Sequence, residues 1–87
     1  MHKDWQGMAT ELSGAIKEVR LGAPDVMKAF SAMARAATQE GVLDTKTKEL
    51  IALAISVAIR CDGCVAFHSQ AAVQHGASRD EIMEVMG

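Results

Sequence analysis

The sequence predicts an all-α protein: a bundle of about five helices folded into antiparallel hairpins, assembling into an oligomer. Three observations predict it. Ala, Met, Leu, Lys, Gln and Glu dominate the 87 residues, and no stretch alternates apolar and polar residues as a half-buried strand does. Glycines and the single proline fall where the helical periodicity breaks. The chain is 49% apolar, yet its aromatic residues are Trp5, Phe30 and Phe67 alone. Alanine buries little area per side chain, so a single domain this short, spanning residues 1–87, needs more core than it builds by itself. Six methionines suit adaptable packing at contacts between copies.

A first helix is expected from Asp4 to Val19 or Arg20, ended by "LGAP" and weakened by an interior Gly14. Pro24 suits the first turn of a second helix, and Asp25 favours its dipole. That helix sets Val26, Met27, Phe30, Met33, Ala34 and Ala37 on one apolar face, with Gly41 placed to close it. Asp44 or Thr45 caps a third helix, "TKTKELIALAISVAIR", in which Ser56 is the one polar residue from Leu50 to Ile59. A helix apolar all round is expected to be central and buried. A fourth helix starts near Asp62 and stops at Gly76. Ser78 and Glu81 stand in capping-box spacing before a short fifth helix, "EIMEVM".

Several function classes are disfavoured. Net charge is −2 with the charges dispersed, so no basic stripe is available for nucleic acid. The apolar run from Leu50 to Ile59 is far short of the roughly 20 residues of a membrane span. "MHKDWQGMATE" lacks the hydrophobic segment of a signal peptide. A cytoplasmic protein is expected, and there a cysteine pair points to catalysis or metal binding before a structural staple.

The chemistry concentrates in "CDGCVAFH", residues 61 to 68. Redox work by thiols needs one sulfur to attack and a second within bonding reach to resolve the product, which C-x-x-C at a helix start supplies. Cys61 and Cys64 sit there, where free backbone N–H groups and the dipole favour a thiolate. Asp62 opposes this, because an adjacent carboxylate raises a thiol pKa. "DG" is expected to loosen the turn between the sulfurs. His68 lies one helical turn after Cys64 and two after Cys61, placed to take a proton from Cys64. Glu49 borders the apolar helix and could orient His68. At about 1.5 Å per residue, a chain folded back near Cys61 leaves Glu49 and His68 about 8 Å apart along the axis, within reach of a long side chain. Helix-start logic favours Cys61 as the attacking thiol, and proximity to His68 favours Cys64.

Zinc bound by Cys61, Cys64 and His68 lacks a fourth ligand, since His75 stands about 10 Å further along the helix. No metal and no cofactor is called for. His2 and His75 read as solvated, Trp5 and Phe30 as core or interface anchors, and Ser56 as bonded to its own backbone. "KEVR" and "KTKE" read as solvated faces.

Glu49, eleven residues, Cys61, two residues, Cys64, three residues, His68 resembles the signature of the alkylhydroperoxidase D-like family, within the carboxymuconolactone decarboxylase superfamily. The resemblance covers about residues 40 to 86, including "HGASRDEI". It implies a thiol-dependent peroxidase or disulfide reductase of antioxidant type. Cys64 would attack the peroxide and Cys61 would resolve the sulfenic acid to a disulfide, with His68 and Glu49 relaying protons. An external dithiol, lipoyl-bearing or thioredoxin-like, would regenerate the pair. The family also implies a homotrimer or homohexamer, and its members continue past Gly87, so a further C-terminal helix is expected. Some members carry a histidine between the cysteines where this chain has Gly63. Two rivals stand beside this reading. One is a decarboxylase-like enzyme acting on a small lactone. The other is a non-catalytic helical oligomer whose cysteine pair senses redox state or binds zinc.

Overall fold

The computed structural model describes residues 3–87, and the reading of His2 lies outside them. Five helices and no strand occur among the described residues: α1 Trp5–Gly22, α2 Pro24–Thr38, α3 Thr45–Ala58, α4 Asp62–Gln74 and α5 Arg79–Met86. The helix starts follow from local caps. Asp4 accepts from the Gly7 N–H, Asp44 from the Thr47 N–H, and Ser78 and Glu81 form a reciprocal capping box. Pro24 occupies the first position of α2.

The helix ends depart from expectation in two places. α1 continues through Leu21 and Gly22, because the constraint that stops it is Pro24, which bars a helical conformation at the preceding Ala23. Gly41 does not close α2: the helix ends at Thr38, Gln39 is already extended, and the Gly41 N–H turns to the Leu43 carbonyl.

α3 and α4 form a helical hairpin with the most extensive contact in the fold. α1 packs on α4, α2 on α1 and marginally on α3, and α5 on α3. The buried apolar residues are Ala9, Leu53, Ala66 and Ala72. Three of the four are alanines, which let helices approach closely but fill little volume. α3 is therefore not buried all round. Leu53, Glu49 and Ser56 face inward, while Ile51, Ile55 and Ile59 lie exposed along its other side. The apolar face of α2 is likewise open, with Val26, Phe30 and Met33 all more than half exposed. Trp5 and Phe30 are thus not core residues of the single chain.

The exposed surface is 6482 Å². A compact monomer of this mass exposes about 5,000 Å². The radius of gyration, 13.8 Å, likewise exceeds the roughly 12 Å of a compact chain of this length.

"KEVR" lies on a solvated face, but "KTKE" does not. Lys46 Nζ reaches Glu81 at 2.8 Å, Lys48 Nζ bonds the Gln39 carbonyl at 2.7 Å, and Glu49 is buried. These bonds tie α5 and the α2–α3 loop to the first turn of α3. Bonding to Lys46 holds the Glu81 carboxyl below its usual range, and bonding to Thr47 does the same for Asp44. The stability they contribute is complete above the ordinary carboxylate pKa of about 4 and is lost as pH falls through the lowered native values. The urea midpoint should decline on acidification from about pH 5 to about pH 3. Lys46→Met should flatten that decline, and parallel profiles for the two proteins would remove the Lys46–Glu81 pair from the explanation.

Candidate active site

The site is built on the corner between α3 and α4. α3 closes at Ile59, and Arg60 adopts a left-handed conformation with φ of 58°. The Arg60 N–H bonds the Val57 carbonyl at 3.2 Å and the Cys61 N–H bonds the Ser56 carbonyl at 3.0 Å. That pair of bonds is a Schellman closure. The end of α4 repeats it, with Gly76 at φ 92° and bonds from Gly76 and Ala77 to Val73 and Ala72. Glycine occupies the left-handed position there without strain, whereas at the α3 end the same position carries arginine. Ser56 is buried, and its hydroxyl donates to the Ala52 carbonyl at 2.6 Å, as expected.

The closure delivers Cys61 to the N-cap of α4, where its sulfur accepts the Cys64 N–H at 3.3 Å. Cys61 and Cys64 are joined as a disulfide, their Cα atoms 5.2 Å apart. Asp62 and Gly63 between them are helical, so "DG" does not loosen this turn. A β-carbon at Gly63 would lie 2.9 Å from Cδ1 of Leu12 on α1, the end of a flexible side chain that would shift to admit it. α1 thus lies directly over the turn that carries the sulfurs.

Glu49 and His68 meet within one chain. His68 Nδ1 and Glu49 Oε2 are 2.7 Å apart. The Glu49 side chain is 7% exposed and that of His68 35%. Glu49 is therefore not a solvated first-turn residue. A buried carboxylate needs a strong partner, and the imidazole N–H is it. With Nδ1 engaged, Nε2 is the ring nitrogen left to exchange protons. Cys64 precedes His68 by one turn of the same helix, so the disulfide and the Glu49–His68 pair share the α3–α4 hairpin.

His75 is the exposed C-cap of α4, away from this group. One feature had no signal in the sequence. Lys3 Nζ pairs with Asp62 Oδ2 at 2.6 Å and lies 5.7 Å from the centre of the Trp5 ring. The partners are 59 residues apart, and nothing local marks either as the other's counter-ion.

Comparison with known proteins defines the class. The model of the carboxymuconolactone decarboxylase family matches residues 24–87, which extends the similarity back through α2. The chain belongs to the carboxymuconolactone decarboxylase family. It is 38% identical over 86 residues to an uncharacterized protein of Cupriavidus necator, covering 99% of this chain and 76% of that one. It is also 38% identical over 72 residues to an uncharacterized protein of Haemophilus influenzae, covering 83% of this chain and 64% of that one. The crystal structure of an apo-form carboxymuconolactone decarboxylase family protein from Legionella pneumophila superimposes with a TM-score of 0.92 at 41% identity. That match covers 99% of this chain and 77% of the other.

The Arg60 conformation yields a direct test. An L side chain in the left-handed region costs about 1–2 kcal/mol, part of which glycine returns as unfolded-state entropy. Arg60→Gly should therefore raise the unfolding free energy by about 0.5–1 kcal/mol in urea titrations. A loss of stability instead would mean that the Arg60 side chain makes contacts that outweigh the strain.

Proposed function

We propose that the protein is a thiol-dependent peroxidase of antioxidant type, a cytoplasmic enzyme regenerated by an external dithiol. The Glu49–His68 contact at 2.7 Å carries the reading. It supplies an oriented imidazole one turn from a cysteine that has a second cysteine within disulfide reach. In the reduced enzyme His68 takes the proton of the Cys64 thiol, and Glu49 stabilises the resulting imidazolium. The thiolate attacks one oxygen of the peroxide, the O–O bond breaks, and the departing alkoxide takes the proton back as an alcohol. Cys64 is left as sulfenic acid. Cys61 then attacks that sulfur and water leaves. Its N-cap position suits this step, because the Cys64 N–H that its sulfur accepts favours the thiolate form. A lipoyl-bearing or thioredoxin-like dithiol returns two electrons and two protons to the disulfide and becomes oxidised itself.

The family name brings a second reading, decarboxylation of a small lactone. The two separate cleanly, because a decarboxylase consumes its lactone with both cysteines alkylated, whereas the peroxidase loses two thiols per chain to one equivalent of peroxide. Within the peroxidase reading, Cys64→Ser should abolish peroxide consumption. Cys61→Ser should leave a sulfenic acid that dimedone traps. His68→Ala should slow thiol oxidation by roughly 10²–10⁴-fold, with a smaller loss in Glu49→Gln. The opposite cysteine pattern would transfer the attacking role to Cys61. Bound zinc with unreactive thiols would favour the non-catalytic rival.

The assembly belongs to the same proposal. Copies of this chain cover each other's exposed rows, Val26, Phe30 and Met33 on α2 and Ile51, Ile55 and Ile59 on α3, in a homotrimer or homohexamer. The surface in excess of a compact monomer supports it. Sedimentation should give a multiple of 9.3 kDa, and Phe30→Asp with Met33→Asp should shift it to the single-chain mass. A wild-type protein sedimenting at the single-chain mass would reject the assembly.

A further inference from the structure

Asp62 lies between the two cysteines, and its carboxylate opposes ionisation of either thiol by simple repulsion. The groove beside it is lined by Lys3, Asp4, Gly7, Met8, Glu11 and Asp62, so three carboxylates share it with one cation. Asp4 is engaged in part as the cap of α1, its Oδ1 accepting the Gly7 N–H at 2.9 Å. Lys3 Nζ stands 2.6 Å from Asp62 Oδ2. A second groove, lined also by Trp5, Ser56, Val57 and Val65, brings Lys3 and Asp62 together with Arg60. The charged groups around the cysteine turn are therefore Lys3 and Arg60 on one side of the balance and Asp4, Glu11 and Asp62 on the other. The Glu49–His68 pair lies one turn further along α4.

We propose that Lys3 is a positioning residue for the cysteine pair: it neutralises Asp62 and thereby keeps the reactive thiol ionisable near neutral pH. The 5.7 Å approach of Lys3 Nζ to the Trp5 ring gives the ammonium a second anchor, which holds it over the start of α4. This role differs from a fold-stabilising ion pair. Both side chains are about half exposed, with 55% and 45% of their surface open, and such a pair contributes little to stability. Its effect falls on the two thiols of the turn, Cys61 adjacent to Asp62 and Cys64 two residues on, either of whose thiolates must form near the carboxylate. Solvent screening keeps the effect small, about threefold in thiolate fraction near neutral pH. The inference deepens the thiol-redox reading but needs only that the reduced cysteines ionise, so it is tested without peroxide.

The test is the pH profile of iodoacetamide alkylation of the fully reduced, full-length protein at low salt. Lys3→Gln should shift the profile to higher pH, lower the rate at pH 7 about threefold, and leave the high-pH plateau unchanged. Lys3→Arg should keep the wild-type profile. In an Asp62→Asn background the same Lys3→Gln change should lose most of its effect, and about 0.5 M salt should close the gap in the wild-type background. Coincident profiles for wild type and Lys3→Gln would overturn the proposal. So would a deficit that persists at the plateau, or one undiminished in Asp62→Asn, since either would make the role of Lys3 steric. Absence of peroxide turnover in the wild-type protein, with the alkylation shift intact, would instead count against the peroxidase reading and leave this inference standing.

Discussion

A carboxylate taken out of water must be answered by a group that cannot drift away, and Glu49 is answered by His68. The carboxylate comes from the first turns of α3 and the imidazole from the second turn of α4, so their 2.7 Å contact is possible only if the two helices return along each other in one register. A slip of one residue would rotate either side chain by about 100° around its helix and strand the carboxylate. The contact therefore acts as a register pin for the hairpin, and the hairpin carries both cysteines. Mispairing costs the desolvation of a charged group, whereas the loose apolar packing around it, mostly alanine, discriminates weakly among registers.

The turning point between the helices is where local and global demands diverge. The same backbone closure ends α3 and α4, with Arg60 at one left-handed position and Gly76 at the other. Gly76 was legible as a stop because glycine takes the left-handed position without strain, although Gly41, read in the same way, closes nothing. Arg60 was not, because nothing in its chemistry announces a positive φ. Helix starts were legible for the same local reason as Gly76: Asp4, Asp44 and Ser78 act on amide groups three residues away. α1 overran its expected end because the true stop signal, Pro24, acts through sterics on the residue before it.

What the sequence hid is what depends on distant partners. Glu49 was legible as a partner for His68, but the lysines beside it in "KTKE" had the look of solvated charges, and they find partners on α5 and in the α2–α3 loop. Lys3 and Asp62 stand 59 residues apart in the chain. Conversely, the periodicity of α2 correctly marked a row of apolar side chains, and the apolar run of α3 pointed to a helix buried all round although one side lies open. Neither pattern carried information about what lies against it. Hydrophobic spacing reports that a face is apolar, and only the fold reports whether this chain supplies the cover.

The cysteine bridge closes a ring of very short span, with a sequence separation of three inside one helical turn. In the chain-entropy picture so small a loop restricts the unfolded chain by only about 2 kcal/mol, and it ties no helix to another. Opening it leaves α3, α4 and the Glu49–His68 register pin joined by the same backbone corner and packing. The oxidation state of the sulfurs and the folded state of the chain are thus nearly independent variables. A scaffold with few buried apolar side chains is then not asked to refold when its thinnest covalent element opens or closes.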